Sequence, residues 1–158
     1  MNDQSLRVVK IRVRMNVSGK RVIGYVDLPQ SYDRTSDLLN GPDMFILVRP
    51  EKQSSENKGE SSQIIQKGAI SYLEALEEPK HAETALQQGR FQPVAAEFKE
   101  PTVLIKAEIF VPQGSSVLSV LNDERGFINL CKVRFESSVE QYSYIAVGKK
   151  QIILMKTQ

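Results

Sequence analysis

The chain has 158 residues, 41% of them hydrophobic and 25% charged, with a formal net charge of +2. That balance is ordinary for a folded globular protein and lies well above the apolar content of a disordered chain, and the one cysteine, Cys131, cannot form an intrachain disulfide. No apolar run approaches the ~20 residues of a membrane-spanning helix, and the opening Met-Asn-Asp-Gln-Ser-Leu-Arg lacks a secretory apolar core, so a cytoplasmic location and no membrane partner are expected.

In chain order, Val9, Ile11, Val13, Met15 and Val17 alternate with Lys10, Arg12, Arg14 and Asn16, the period of a half-buried strand. Ser18-Gly19-Lys20 supplies a turn. The returning strand, Arg21 to Leu28, puts Val22, Val26 and Leu28 on one face with Gly24 in its middle, where glycine marks a bend or a close backbone approach. The run Asp33 to Asn40 then reads as one helical turn, with Thr35 or Ser36 as cap, Asp37 at its positive end and Asn40-Gly41-Pro42 as its stop. A strand follows at Met44 to Val48. Residues 50–62 contain no apolar side chain apart from Pro50, predicting a mobile insertion. Strands at Ile64 to Lys67 and Ala69 to Leu76 close the first half, and the polar stretch 78–90 reads as a connector with a short helix from Lys80 to Gln88. The second half shows strands at Val103 to Val111, Phe127 to Phe135, Tyr142 to Gly148 and Gln151 to Lys156, with a helical turn over Ser115 to Asn122.

These halves repeat one another. Leu38-Leu39-Asn40 with Phe45-Ile46 returns as Val120-Leu121-Asn122 with Phe127-Ile128, 82 residues later. The same offset sets Lys67 on Lys149 and Ile70 on Ile152, and one residue of slip sets Leu28-Pro29-Gln30 on Val111-Pro112-Gln113. Gly24 then falls on Ala107, a small residue at each proposed bend. An offset shared by separated blocks points to duplication. The expected organisation is mainly β: two tandem small five-stranded barrels or half-barrels at 6–77 and 91–157, each with one short helical turn.

Little in this pattern is catalytic. The single histidine, His81, lies in the connector with no nucleophile beside it, and Gly148-Lys149-Lys150 lacks the surroundings of a phosphate loop. Cys131 shares the period-two face of Phe127, Val133 and Phe135 and is expected as a core thiol. Asp27, Asp33, Asp37 and Asp43 fit turns and caps better than a cation site. No enzyme activity, cofactor or metal is expected.

Two features point to binding. Lys10, Arg12 and Arg14, extended by Lys20 and Arg21, place cations about 7 Å apart along one strand face, suited to phosphate or an anionic protein, although any solvated strand face is polar as well. Ile23, Tyr25 and Phe110 are apolar on the opposite register from the core, so that face is expected to be covered by the other half, a second subunit or another partner.

Arg7 to Leu28, with Gly19, Gly24 and Asp27, resembles the first hairpin of Sm-like proteins, a pattern shared among SH3-like barrels; the resemblance implies a five-stranded barrel and, for Sm-like proteins, RNA contact. Arg34-Thr-Ser-Asp-Leu-Leu-Asn40 with Phe45-Ile-Leu is similar to an uncharacterised bacterial domain family with an Arg-Leu-Ser-Asp-x-Leu-Asn turn, which implies a fold and no activity. The expected function is a non-catalytic protein-interaction or assembly module, with self-association or another protein as partner; the alternative is an RNA- or DNA-binding Sm-like protein using the basic first strand.

Overall fold

The structure is a computed structural model that describes residues 8–51, 61–77, 88–99, 102–136, 138–139 and 141–158. Most of the expected insertion, the connector helix and His81 lie outside these residues. The described chain is mainly β. The first half holds strands β1 (Val8–Val17), β2 (Lys20–Pro29), β3 (Phe45–Val48), β4 (Gln63–Gln66) and β5 (Ile70–Ala75), with helix α1 (Thr35–Leu39) between β2 and β3. The second holds β6 (Gly89–Phe98), β7 (Leu104–Pro112), α2 (Val117–Leu121), β8 (Phe127–Phe135), β9 (Gln141–Gly148) and β10 (Ile152–Thr157).

Alternation makes the first hairpin: Ile11, Val13 and Met15 are buried on β1, and Val26 and Leu28 on β2. Its two-residue turn needs positive φ at both positions, and Ser18 and Gly19 adopt 49° and 81°. Asn16 Oδ1 steadies the turn by accepting from the Gly19 N–H at 3.0 Å.

Eight strands form one antiparallel sheet in the order β10-β6-β7-β8-β9-β5-β1-β2, and β3 pairs with β4 separately. A bridge between Tyr25 and Arg49, with both N–H···O distances 2.9 Å, ties β2 to the end of β3. Gly24 permits this approach, since a Cβ there would sit 2.3 Å from the Arg49 carbonyl oxygen. In the second half Ala107 occupies the matching place, where the β7–β8 register shifts between Lys106 and Glu108.

Main-chain bonds recur between the halves. Lys67 N–H donates to Met44 O, and Lys149 N–H to Gly126 O, each at 2.9 Å; Ser18 N–H reaches Ala69 O, and Lys99 N–H reaches Gln151 O. The 3₁₀ turns at Lys67–Ala69 and Lys149–Gln151 lead into β5 and β10 with entry residues Ile70 and Ile152 at nearly identical dihedrals. Buried apolar residues gather in two clusters, one per half, except that Phe127 and Ala146 join the first.

Three local expectations need correction. The cap of α1 is Arg34, while Thr35 and Ser36 lie buried inside the first turn; Asp37 Oδ2 accepts from the N–H of Asp33 and Arg34, both at 3.0 Å. β6 begins at Gly89, inside the expected connector, and was hidden by Pro93 and a weak alternation. Cys131 is only half-buried, because Lys132 takes φ 49° and breaks the alternation, so that Leu130 rather than Cys131 joins Val133 and Phe135 inside.

Asp123 is exposed and only partly desolvated, and hydrogen bonds from Arg125 and from Lys149 Nζ, the latter at 2.7 Å, outweigh that desolvation and hold its carboxyl well below the usual carboxylate range. A carboxyl held this low contributes its full stability above the unfolded value of about 3.9 and loses it progressively as pH falls from there toward the depressed folded value. Urea midpoints of wild type and Asp123→Asn should therefore differ most at neutral pH, and the gap should narrow steadily as pH is lowered below about 4. Gly24→Ala should cost about 1–3 kcal/mol in the same assay, because the obstructing atom is backbone and cannot swing aside.

Candidate interaction site

On β1 the basic side chains occupy the register opposite Ile11, Val13 and Met15, as the alternation requires. Two of them are engaged within the chain. Arg12 Nε donates to Glu51 Oε1, and this hydrogen bond raises the guanidinium above its ordinary value. Arg14 donates to Glu74 Oε2 from Nε at 3.0 Å and from Nη2 at 2.5 Å, with its guanidinium 5.4 Å from the Tyr142 ring centre. Lys10, Lys20 and Arg21 are exposed.

Ile23 is exposed beside an open cleft of about 400 Å³ that Arg21, Arg49 and Gln63 also line. Tyr25 is half-buried and spends its main chain on Arg49. Phe110 is half-buried, packed edge-on against Phe91 of the neighbouring strand at 5.4 Å. The structure thus separates Phe110 from Ile23 and Tyr25, which lie on different strands in different halves.

The closest meeting of the two halves is the pairing of β5 with β9, where Tyr72 faces Val147 and Leu73 faces Ala146. Gly148 allows it, since a Cβ there would stand 2.8 Å from the Ile70 carbonyl oxygen. Asn40, at the end of α1, fastens the second half by its main chain: Nδ2 donates to Phe127 O at 3.1 Å, and Oδ1 accepts from Phe127 N–H at 2.8 Å. Beside it, Asn129 Nδ2 donates to the buried Ser36 Oγ at 3.2 Å, and the Tyr144 hydroxyl lies 2.5 Å from Asn129 Oδ1. Arg34 reaches over the Tyr144 ring, with its guanidinium 6.0 Å from the centre. Tyr72 crosses the other way, packing on Phe98 and Phe135; its burial pushes the phenol up.

Sequence reasoning placed Asn40 as a helix stop and missed its side chain's role, although the recurrence of Leu-Asn before Phe-Ile was the available signal. It placed both outer strands, at Ile64 to Lys67 and Gln151 to Lys156, without showing that their edges stay open. Among the described residues β4 pairs only with β3, and β10 only with β6, so each leaves one edge unpaired. Exposed apolar residues flank these edges: Phe45, Leu47 and Ile64 at one end, Ile153 and Leu154 at the other. β4 reads Gln-Ile-Ile-Gln, without the charge or proline that usually protects an edge.

Comparison of the chain with protein-family models, with curated proteins and with solved structures finds no match.

Replacing Asn40 by Ala removes both Phe127 bonds from a partly buried junction and should cost about 1–3 kcal/mol in chemical denaturation. The same change at Asn122, its exposed counterpart, should stay within about 0.5 kcal/mol when measured on dilute protein.

Proposed function

We propose that this chain is a non-catalytic assembly module, built from two tandem five-stranded half-barrels, that works by presenting sheet edges to a protein partner. The strand orders support the duplicated architecture. The second half runs β10-β6-β7-β8-β9; the first runs β5-β1-β2, continued through the Tyr25–Arg49 bridge to β3-β4. With β10 matched to β5, and β6 through β9 to β1 through β4, the two orders coincide. That bridge itself corresponds to the Glu108–Cys131 pair of β7 and β8.

The observation that carries the functional reading is the pair of unpaired edges, β4 and β10, each flanked by exposed apolar side chains. Edge main-chain groups offer a template for another strand, and the flanking side chains add apolar burial. The basic strand supports a nucleic-acid reading less well, since Arg12 and Arg14 are paired with Glu51 and Glu74.

The test compares wild type with the double variant Ile64→Lys, Ile153→Lys by cross-linking in native lysate and mass spectrometry. Species cross-linked to wild type, whether another protein or the chain itself, should be lost or strongly reduced in the variant. An unchanged cross-linking pattern would overturn the reading. Purified protein carrying nucleotide absorbance, with retention that falls steeply with salt, would replace it with nucleic-acid binding.

A further inference from the structure

We propose that the chain associates head to tail with copies of itself: β10 and α2 of one molecule dock on β3 and β4 of the next, repeating between molecules the junction made inside each chain. The proposal rests on the sheet-edge reading and names a second copy as the partner.

The internal junction has two sides. One consists of α1 and β5, the other of β8 and β9. At an offset of 82 residues α1 maps onto α2, β5 onto β10, β3 onto β8, and β4 onto the last four residues of β9. The chain therefore carries a second α1-like and β5-like side in α2 and β10, and a second β8-like and β9-like side in β3 and β4. Both are unoccupied among the described residues. They lie at opposite ends of the strand order, so one molecule cannot satisfy itself in the way its two halves satisfy each other.

Individual positions agree with this mapping. Phe127, clamped by Asn40, is 6% exposed; its counterpart Phe45 is 51% exposed, and Asn122 is the counterpart of Asn40. Ala146 is fully buried against β5, whereas its counterpart Ile64 is 74% exposed. Transferring the register sets Leu154 opposite Ile65 and Met155 opposite Ile64.

One substituted pair is especially informative. Ser36, 2% exposed, bonds Asn129 across the internal junction. The counterpart of Ser36 is Leu118, 68% exposed, and the counterpart of Asn129 is Leu47, 45% exposed. A polar pair on the two sides of the internal junction thus becomes an apolar pair on the two open sides. Leucine at two separate solvent-facing positions gains nothing for an isolated chain, but the two bury each other when the ends of two chains meet. The copies are not identical: Gln66 stands where Gly148 does, so the intermolecular junction opens slightly at that end.

A contact between unlike surfaces is heterologous, and it propagates into a ring or an open array. Light scattering on the purified full-length chain should give a mass above the monomer that rises with concentration before any plateau. Leu47→Glu spoils one end and Leu118→Glu the other. Each variant alone should run as a monomer with a wild-type thermal melt, and an equimolar mixture should form a dimer and nothing larger, because each variant keeps one competent end. The formation of that dimer also shows that both variants are folded. A wild type that stays monomeric at all concentrations would overturn the proposal, as would variants that keep the wild-type mass, or a mixture that stays monomeric. A monomeric wild type with edge-dependent cross-links to another protein would sink only the self-association and leave the assembly-module reading standing; a monomer without such cross-links would sink both.

Discussion

The pairing of β5 with β9 organises the rest of the molecule, because it turns two short stretches of sheet into one of eight strands. Only a few residues face each other along it, so its strength comes from what crosses it. Asn40 satisfies both main-chain groups of Phe127 from the opposite half, and a buried main-chain group left unpaired is costly. Phe127 and Ala146 enter the first core while Tyr72 packs against the second. Polar bonding specifies the alignment, and exchanged apolar side chains hold it.

Much of the scaffold was legible in the residues. Period-two alternation located β1, β2, β7 and β8 closely, and the 82-residue offset aligned the helical turns and the strands after them. Turn chemistry identified Ser18-Gly19 and Asn40-Gly41. What escaped notice has physical reasons. β6 contains Pro93 and consecutive alanines, which read as neither strand nor helix. Cys131 was misassigned because a single positive φ at Lys132 shifts every later side chain on β8 to the other face, and no local pattern marks such a bulge.

The candidate site was less visible, because it depends on which edges meet. Lys10, Arg12 and Arg14 stood out as a charged array, yet the pairing of Arg12 with Glu51 and of Arg14 with Glu74 involves residues far along the chain. The exposure of Phe45, Leu47 and Ile64 has the same character: their counterparts Phe127 and Ala146 are buried and Asn129 half-buried, so exposure here follows from position in the sheet. The 82-residue offset was the useful signal throughout, as it supplies for each of these open positions a more buried one to compare.

The separation of Tyr72 from Val147, 147 − 72 = 75 residues, also bears on how the molecule is made. Contacts this distant in sequence form late, and during synthesis the first half is complete well before β9 emerges. Throughout that interval β5 has an open edge and Asn40 lacks the main chain it will hold. A newly made first half is thus able to accept β9 from another chain, the exchange of identical elements known as domain swapping. The short connection from residue 77 to residue 88 counters this by keeping the correct second half at high local concentration.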